Sequence, residues 1–204
     1  MSRNAFNADH SLPGATDTAH ARLKAATREV HQRLEDRLDA VRHLSDLGRR
    51  ADLVSRYATL HLTCDRVLQL WLAALHELEP ARRRRTPLLA SAVAELGAAL
   101  PQRLPDPPAV ASEAEALGLL YVTEGATLGG RTILRSLATQ GISVRGLAFL
   151  DPYGAETGAM WARFRSVLNQ SLGTDATRIS GAVGGALRGF AFAEHCLCDS
   201  RAPA

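Results

Sequence analysis

The sequence has few of the features that mark secreted, membrane-spanning or nucleic-acid-binding proteins. Its 204 residues include three cysteines, Cys64, Cys196 and Cys198, whose spacing matches neither a disulfide framework nor a metal site. No run of about 18 apolar residues is present, and residues 1–18 lack the apolar core of a signal peptide. The net charge of +3 is too small to indicate binding to a nucleic acid. We therefore expect a cytoplasmic protein that binds neither membrane nor nucleic acid.

Lysine is the scarcest of the charged residues. The sequence has 24 basic residues, of which 23 are arginine, and Lys24 is the single lysine. We interpret the imbalance as a general preference for arginine rather than as a functional signal. Lys24 is then an exception whose position needs a reason.

The alternation of apolar and polar residues that is typical of a half-buried strand is also missing. Apolar residues instead recur every three or four positions along most of the chain. This spacing predicts helices over residues 17–42, 49–79, 88–100, 110–139, 155–172 and 175–198. Residues 142–154 are predicted to be a loop with a short extended piece, and ARRRR at 81–85 a solvated turn. The polar residues 1–16 are predicted to form a loose leader to one all-α domain over residues 17–200.

Glycines are concentrated inside the longest apolar helix, predicted over residues 110–139. Gly118, Gly125, Gly129 and Gly130 each cost about 1 kcal/mol relative to alanine in a helix interior, so the helix needs a compensating gain. Gly125 and Gly129 are four residues apart and share a face, and the adjacent Gly130 permits a kink. The cluster indicates either close packing of two helices or a bent helix whose bare backbone lies against a flat ligand. The spacing leaves both interpretations open.

A histidine and the single lysine share a face of the first predicted helix. His31 lies at the edge of the apolar stripe, and Lys24 precedes it by two helical turns, or about 10 Å. Taken singly, His31 is typical of a boundary residue and Lys24 of a solvated one. Together they also fit a ligand that has a metal at its centre and a carboxylate at its edge.

Three segments of the sequence resemble heme oxygenases. LKAATREVHQRLE at 23–35 resembles the proximal helix of that family, and LLYVTEGATLGGRTI at 119–133 resembles its distal helix. FLDPYGAETGAMWARFRSVL at 149–168 is similar to the segment that follows in bacterial members. The EGxTLGG form is most similar to the heme oxygenases that are paired with bacteriophytochromes. The three segments occur in the family's order and span residues 20–170.

The resemblance implies a single-domain helical bundle with heme between the first helix and a kinked, glycine-rich distal helix. His31 would bind the iron from one side, and the backbone of Gly125, Gly129 and Gly130 would limit the space on the other. We expect His31, Gly125 and Gly129 to be the catalytic set.

The resemblance also assigns residues to the edge of the heme. Lys24 would bind one propionate, Arg165 matches the position of a second propionate cation, and Tyr121 is a weaker candidate for a polar contact. Many family members carry an acidic residue directly after the first glycine of the distal motif, where it organises water for proton delivery. This sequence has Ala126 there, which puts the source of that proton in doubt.

The activity that the resemblance implies is the cleavage of heme to biliverdin, ferrous iron and carbon monoxide. Heme would be both substrate and prosthetic group, dioxygen the oxidant, and a separate reductase, ferredoxin or flavodoxin the electron donor, with a bacteriophytochrome as a candidate acceptor of biliverdin. Two alternatives stay open, a heme carrier or sensor without the chemistry, and a ligand-free bundle that binds partners through residues 82–85. In the enzyme, the arginines of the ARRRR segment, residues 82–85, could also serve as a docking patch for an acidic electron donor.

Overall fold

A computed structural model describes residues 18–198, and in that range the protein consists of α-helices, turns and short 3-10 segments, with no strand. The helices are α1 (Ala19–Leu38), α2 (Ala40–Ser45), α3 (Leu47–Leu72), α4 (Pro80–Arg83), α5 (Thr86–Glu95), α6 (Glu113–Thr139), α7 (Thr157–Leu172) and α8 (Ala176–Cys198). The predicted all-α class is confirmed. The leader predicted over residues 1–16 lies outside the described residues.

The first predicted helix is two helices. Thr18 caps α1, since its hydroxyl accepts a hydrogen bond from the Ala21 amide at 3.2 Å. Asp39 then adopts the left-handed conformation, with φ of 39°, and ends α1 before α2 begins. The periodicity prediction ran through this break because the apolar spacing continues across it.

Other elements also differ from the prediction. The third predicted helix, 88–100, is α5 and ends at Glu95. The second predicted helix ends at Leu72 rather than near residue 79, and Pro80 begins α4, where its missing amide hydrogen is no loss. The extended piece predicted within residues 142–154 is absent. That segment instead contains the 3-10 turn Ala148–Leu150 and leads into a second one, Gly154–Glu156.

Helices α6 and α8 pack closely through glycine. A Cβ atom added to Gly118 would lie 1.9 Å from the Ala182 carbonyl oxygen, and one added to Gly185 would lie 2.1 Å from the Glu115 carbonyl oxygen. Neither position tolerates a side chain, so the two backbones are in contact. For Gly118, close packing of two helices accounts for the glycine.

Helices α1 and α6 both run parallel to α8. On α1 and α8, His31 lies beside Phe190, and Arg37 lies beside Glu194 further towards the C-terminal end of both helices. Along α6 and α8, the pairs Glu113–Arg178 and Val122–Gly189 also advance in the same direction. Helices α1 and α6 make few close backbone contacts with one another. They therefore flank a groove whose floor is α8.

The described helices, taken over residues 18–198, include none with the length and apolarity required to cross a bilayer.

Candidate functional site

The groove between α1 and α6 has an apolar floor. Val122, Ala186 and Phe190 are buried there, and Val30, Leu34 and Tyr121 pack against them. The α1–α6 groove, as we call it, is bounded by His31 on α1, Gly125 on α6 and Phe190 on α8. Its two walls meet at Tyr121 of α6, whose side chain is hydrogen-bonded to Thr27 of α1 and whose ring lies 6.1 Å from that of His20, also on α1. His31 and Gly125 each lie one turn beyond the Thr27–Tyr121 contact on their own helices, which run in the same direction.

His31 is accessible at the wall of the groove. Its side chain is 38% exposed, its ring lies edge-on to that of Phe190 with centroids 5.4 Å apart, and its Nε2 lies 3.6 Å from Oε1 of Glu35. Glu35 is one turn further along α1, so the helix itself brings the two side chains together. The neighbouring carboxylate and the Phe190 ring limit the orientations that the imidazole can adopt. An accessible histidine at the wall of a groove suits a metal ligand.

Gly125 presents bare backbone to open space. Among residues 18–198, no atom outside its own helix lies within 4 Å of the position that a Cβ atom would occupy, and the residue is half-buried. Gly129 lies one turn further on the same face and is also half-buried. An interior glycine costs about 1 kcal/mol relative to alanine, and at Gly125 no neighbouring element requires it. A flat ligand that lies against this face would require a residue without a side chain here.

Gly130 has a different environment from Gly125. A Cβ atom added to Gly130 would lie 2.1 Å from the Leu150 carbonyl oxygen, because the 3-10 turn Ala148–Leu150 packs directly on this side of α6. Packing therefore accounts for the glycine at this position. Its contact with heme stays a prediction, as does the kink that it would permit.

Three aromatic side chains close one end of the groove, where α1, α6 and α7 meet. The ring centroids of His20, Tyr121 and Trp161 lie 5.6 to 6.1 Å from one another. Burial raises the pKa of Tyr121 above its usual range, so the phenol stays neutral and its hydroxyl keeps a proton. Tyr121 is also one turn before Gly125, which places it on the face of α6 that carries the bare backbone.

The two predicted propionate cations lie at this same end of the groove. Arg165 is flanked on α7 by Trp161, whose ring contacts that of His20, and by Asn169, whose side chain accepts a hydrogen bond from the His20 amide at 2.9 Å. Lys24 is exposed and lies one turn beyond His20 on α1. The Nε atom of Arg165 is buried and has no hydrogen-bond partner within the part of the chain that the structure describes. A buried N–H of this kind requires an acceptor, and an anionic group of a ligand would supply one.

The arginine-rich connector is not the solvated turn that the sequence predicts. Arg83 and Arg85 are only 6% and 2% exposed, and both guanidinium groups bind the carboxylate of Glu124 on α6. Arg82 is exposed but pairs with Glu156 at 2.9 Å and with Glu79 at 3.2 Å. The prediction is therefore wrong for Arg83 and Arg85, because a buried carboxylate requires buried counter-charges. Because Arg83 and Arg85 are buried, only Arg82 and Arg84 of the predicted docking patch are exposed at this connector.

Glu124 is the central residue of a site that sequence reasoning missed. Tyr153 donates a hydrogen bond to its Oε1 at 2.7 Å, and Arg85 lies 3.0 Å from the same atom. Glu124 is 1% exposed. A glutamate within the apolar stretch LLYVTEGATL could have signalled this cluster, since a charge there must be paired.

The fold and the groove together define an all-α protein with a histidine on one wall and bare glycine backbone on the other. A family model described as "Heme oxygenase" matches residues 92–198. A curated relative, "Heme oxygenase" of Xanthomonas campestris pv. campestris (strain 8004), is 34% identical over 153 residues, which are 75% of this chain and 91% of the relative.

A solved structure of the NO- and CO-bound heme oxygenase of Neisseria meningitidis matches the fold with a TM-score of 0.74 at 24% identity, over 88% of this chain and 90% of that chain. The chain belongs to the heme oxygenase family and is an enzyme of heme degradation. The match to the family model includes α6, α7 and α8 but not α1. The roles of Lys24 and His31 therefore depend on the geometry of the groove and on the resemblance of residues 23–35.

Proposed function

We propose that this protein, through one catalytic domain over residues 17–200, cleaves heme oxidatively to biliverdin, ferrous iron and carbon monoxide. Dioxygen is the oxidant, a separate protein supplies the electrons, and heme, which is the substrate, also supplies the iron at which dioxygen is reduced. The observation that carries this proposal is the pairing of an accessible, carboxylate-supported His31 with the open backbone face of Gly125 across one groove.

His31 holds the iron through one ring nitrogen. The imidazole must be neutral to do so, and the Glu35 carboxylate lies 3.6 Å from its Nε2 atom. Phe190 lies edge-on to the ring and restricts its rotation about the side chain. Glu35 and Phe190 together would limit the orientations of the imidazole that holds the iron.

Gly125 and Gly129 form the opposite wall. Without Cβ atoms, this face of α6 can lie close to the porphyrin plane and leave room for a diatomic ligand but little more. The backbone then restricts where the bound oxidant can reach, and the reaction is directed to one edge of the substrate. Gly130 supports this wall from behind through its contact with Leu150.

Lys24 and Arg165 hold the propionates. Arg165 supplies a buried N–H that lacks an acceptor within the described protein, and Lys24 supplies an exposed ammonium at the rim. Charge-assisted hydrogen bonds of this kind fix the rotation of the substrate in its own plane. Rotation in the plane decides which meso carbon lies beneath α6.

Proton delivery depends on groups other than residue 126. Ala126 carries neither a carboxyl nor a hydroxyl and is exposed, so water at the mouth of the groove must supply the protons. Tyr121 is the neutral hydroxyl on the same face of α6 and can orient such water.

The electron donor in this proposal is a reductase, ferredoxin or flavodoxin, and the compartment is the cytoplasm. The EGATLGG segment supports membership in the group paired with bacteriophytochromes, which would make a bacteriophytochrome the acceptor of biliverdin.

The second candidate is a heme carrier or sensor, which Ala126 favours because it removes the usual organiser of catalytic water. Heme-loaded protein supplied with dioxygen and an electron donor separates the two functions. Cleavage predicts loss of the Soret band and the appearance of biliverdin. A Soret band that persists without biliverdin would support the carrier and overturn the oxygenase proposal.

A further inference from the structure

A buried cluster of charges is centred on Glu124, the residue that precedes Gly125 in α6. The Glu124 carboxylate binds Arg83 through Oε2 and binds Arg85 and Tyr153 through Oε1, at 3.0 and 2.7 Å for the last two. The hydroxyl of Tyr153 also accepts hydrogen bonds from both terminal nitrogens of Arg85 at 3.1 Å. All four side chains are buried. We call this set the Glu124 cluster.

The Glu124 cluster ties α6 to two other parts of the fold. Arg83 and Arg85 belong to the connector between α3 and α5, and Arg83 donates a further hydrogen bond to the Met160 carbonyl of α7 at 3.2 Å. Tyr153 belongs to the loop before α7, which also supplies the Leu150 carbonyl that packs on Gly130. Around the axis of α6, Glu124 is about 100° and Gly130 about 140° from Gly125, so neither link lies on the open face.

The connector itself is held in place by α3. Asp65 accepts hydrogen bonds from the Arg85 amide at 3.2 Å and from the Thr86 hydroxyl at 2.8 Å. The arginine side chains therefore extend from a fixed backbone, and a displacement of α6 would break several charge-assisted hydrogen bonds at once.

Stability alone does not explain such a cluster. Desolvation of buried charges offsets much of their attraction, so well-packed apolar side chains would stabilise this region about as well. The cluster instead fixes how α6 is rotated about its own axis, because a carboxylate held by three donors holds the helix that bears it in one orientation. Glu124 is directly adjacent to Gly125. A rotation of α6 by about 20° about its axis would displace the Gly125 Cα by about 0.8 Å, given a helix radius of about 2.3 Å.

We propose that Glu124, Arg85 and Tyr153 are positioning residues that fix the rotation of α6 above the substrate and so determine which meso carbon is cleaved. This role depends on the proposed function. None of the three touches the substrate, so each acts through the placement of the Gly125–Gly129 backbone.

The test uses Tyr153→Phe in the full chain. This substitution removes the hydroxyl but keeps the aromatic ring, which lies 4.7 Å from the guanidinium carbon of Arg85. Glu124→Gln is the stronger variant, and Arg178→Gln is the matched control, since it breaks an exposed ion pair between α8 and Glu113 at the start of α6. The readouts are the ratio of biliverdin isomers, the affinity for heme, and hydrogen exchange of the amides of residues 121–130 in protein without heme.

We expect Tyr153→Phe to change the isomer ratio about tenfold, which corresponds to about 1.4 kcal/mol, and to change the affinity for heme less than twofold. Exchange at residues 121–130 should increase in Tyr153→Phe and not in Arg178→Gln. A simple loss of stability would accelerate exchange throughout the chain and leave the isomer ratio unchanged, so it would overturn the positioning role.

The two proposals fail in different ways. If wild-type protein binds heme but forms no biliverdin, the proposed function fails, and the local increase in exchange then decides whether the cluster positions α6. If wild-type protein forms one isomer and both cluster variants form the same isomer in the same ratio, the proposed function stands and the positioning role is wrong.

Discussion

A methyl group added to Gly125 should stabilise the protein without heme and impair its function. Gly125 lies in the interior of α6, and its Cβ position has no neighbour within 4 Å, so alanine fits without any displacement. The gain in helix propensity is about 1 kcal/mol. For a domain of this size, that gain raises Tm by about 2 to 4 °C. The same methyl group would occupy the space against which heme lies, so affinity and turnover should fall.

Gly130→Ala is the matched comparison, because the two glycines are on one helix but face different surroundings. The added Cβ would lie 2.1 Å from a backbone oxygen that cannot rotate away. Overpacking of this kind costs about 1 to 3 kcal/mol, which lowers Tm by about 2 to 12 °C. Thermal unfolding without heme, followed by spectral titration with heme, measures both effects. A Gly125→Ala protein that is stabilised and binds and cleaves heme as wild type does would refute the reasoning about the open face.

The remaining predictions concern the heme edge and the pH dependence of stability. Arg165→Gln should weaken heme binding about tenfold, in the range of one charge-assisted hydrogen bond, and leave binding of heme dimethyl ester unchanged; equal losses for both ligands would argue against a propionate contact. Lys24→Arg should alter heme affinity or the isomer ratio, since a planar guanidinium does not replace an ammonium, and no change in either would mean that the lone lysine has no special role. Burial, with a smaller contribution from Arg85, lowers the pKa of His61 to about 3. Between about pH 6.5 and 3 the unfolded chain therefore binds more protons than the folded chain, and stability should fall by about 2 kcal/mol from pH 7 to pH 5. Urea unfolding at both pH values should show a smaller loss for His61→Phe, whereas parallel curves would contradict this assignment.

The helical period made most of the fold predictable, because six apolar stripes correspond to the main helices. Its errors lie at positions where a local backbone conformation overrides the stripe. The left-handed Asp39 divides the first predicted helix although Leu38 and Val41 continue its apolar spacing. The second predicted helix extends to residue 79, whereas α3 ends at Leu72 and Pro80 begins α4.

The candidate site was predictable to a different extent on its two walls. The seven-residue spacing of Lys24 and His31 is visible in one helix, so the sequence alone places them on one face. The roles of Gly125 and Gly130 could not be separated in this way, since spacing gives the face of each glycine but not the element that packs against it. Only the position of Leu150 shows that Gly130 is a packing contact.

The Glu124 cluster could not be predicted from the sequence for a related reason. Four consecutive arginines give no indication of which two turn inward, because that depends on the path of the connector over α6. Arg83 and Arg85 point to Glu124, while Arg82 and Arg84 stay at the surface. The glutamate within an apolar segment was the available signal, and it predicts a buried cation without identifying it.

The central claim is that His31 binds the iron of a heme that this protein cleaves. The most direct measurement is the absorption spectrum of the heme complex during reduction in air, for wild type, His31→Ala and the exposed-histidine control His76→Ala. We expect wild type and His76→Ala to lose the Soret band and form biliverdin, and His31→Ala to have an altered Soret band from the start and to form none. A His31→Ala protein whose spectrum and biliverdin yield equal those of wild type would contradict the central claim.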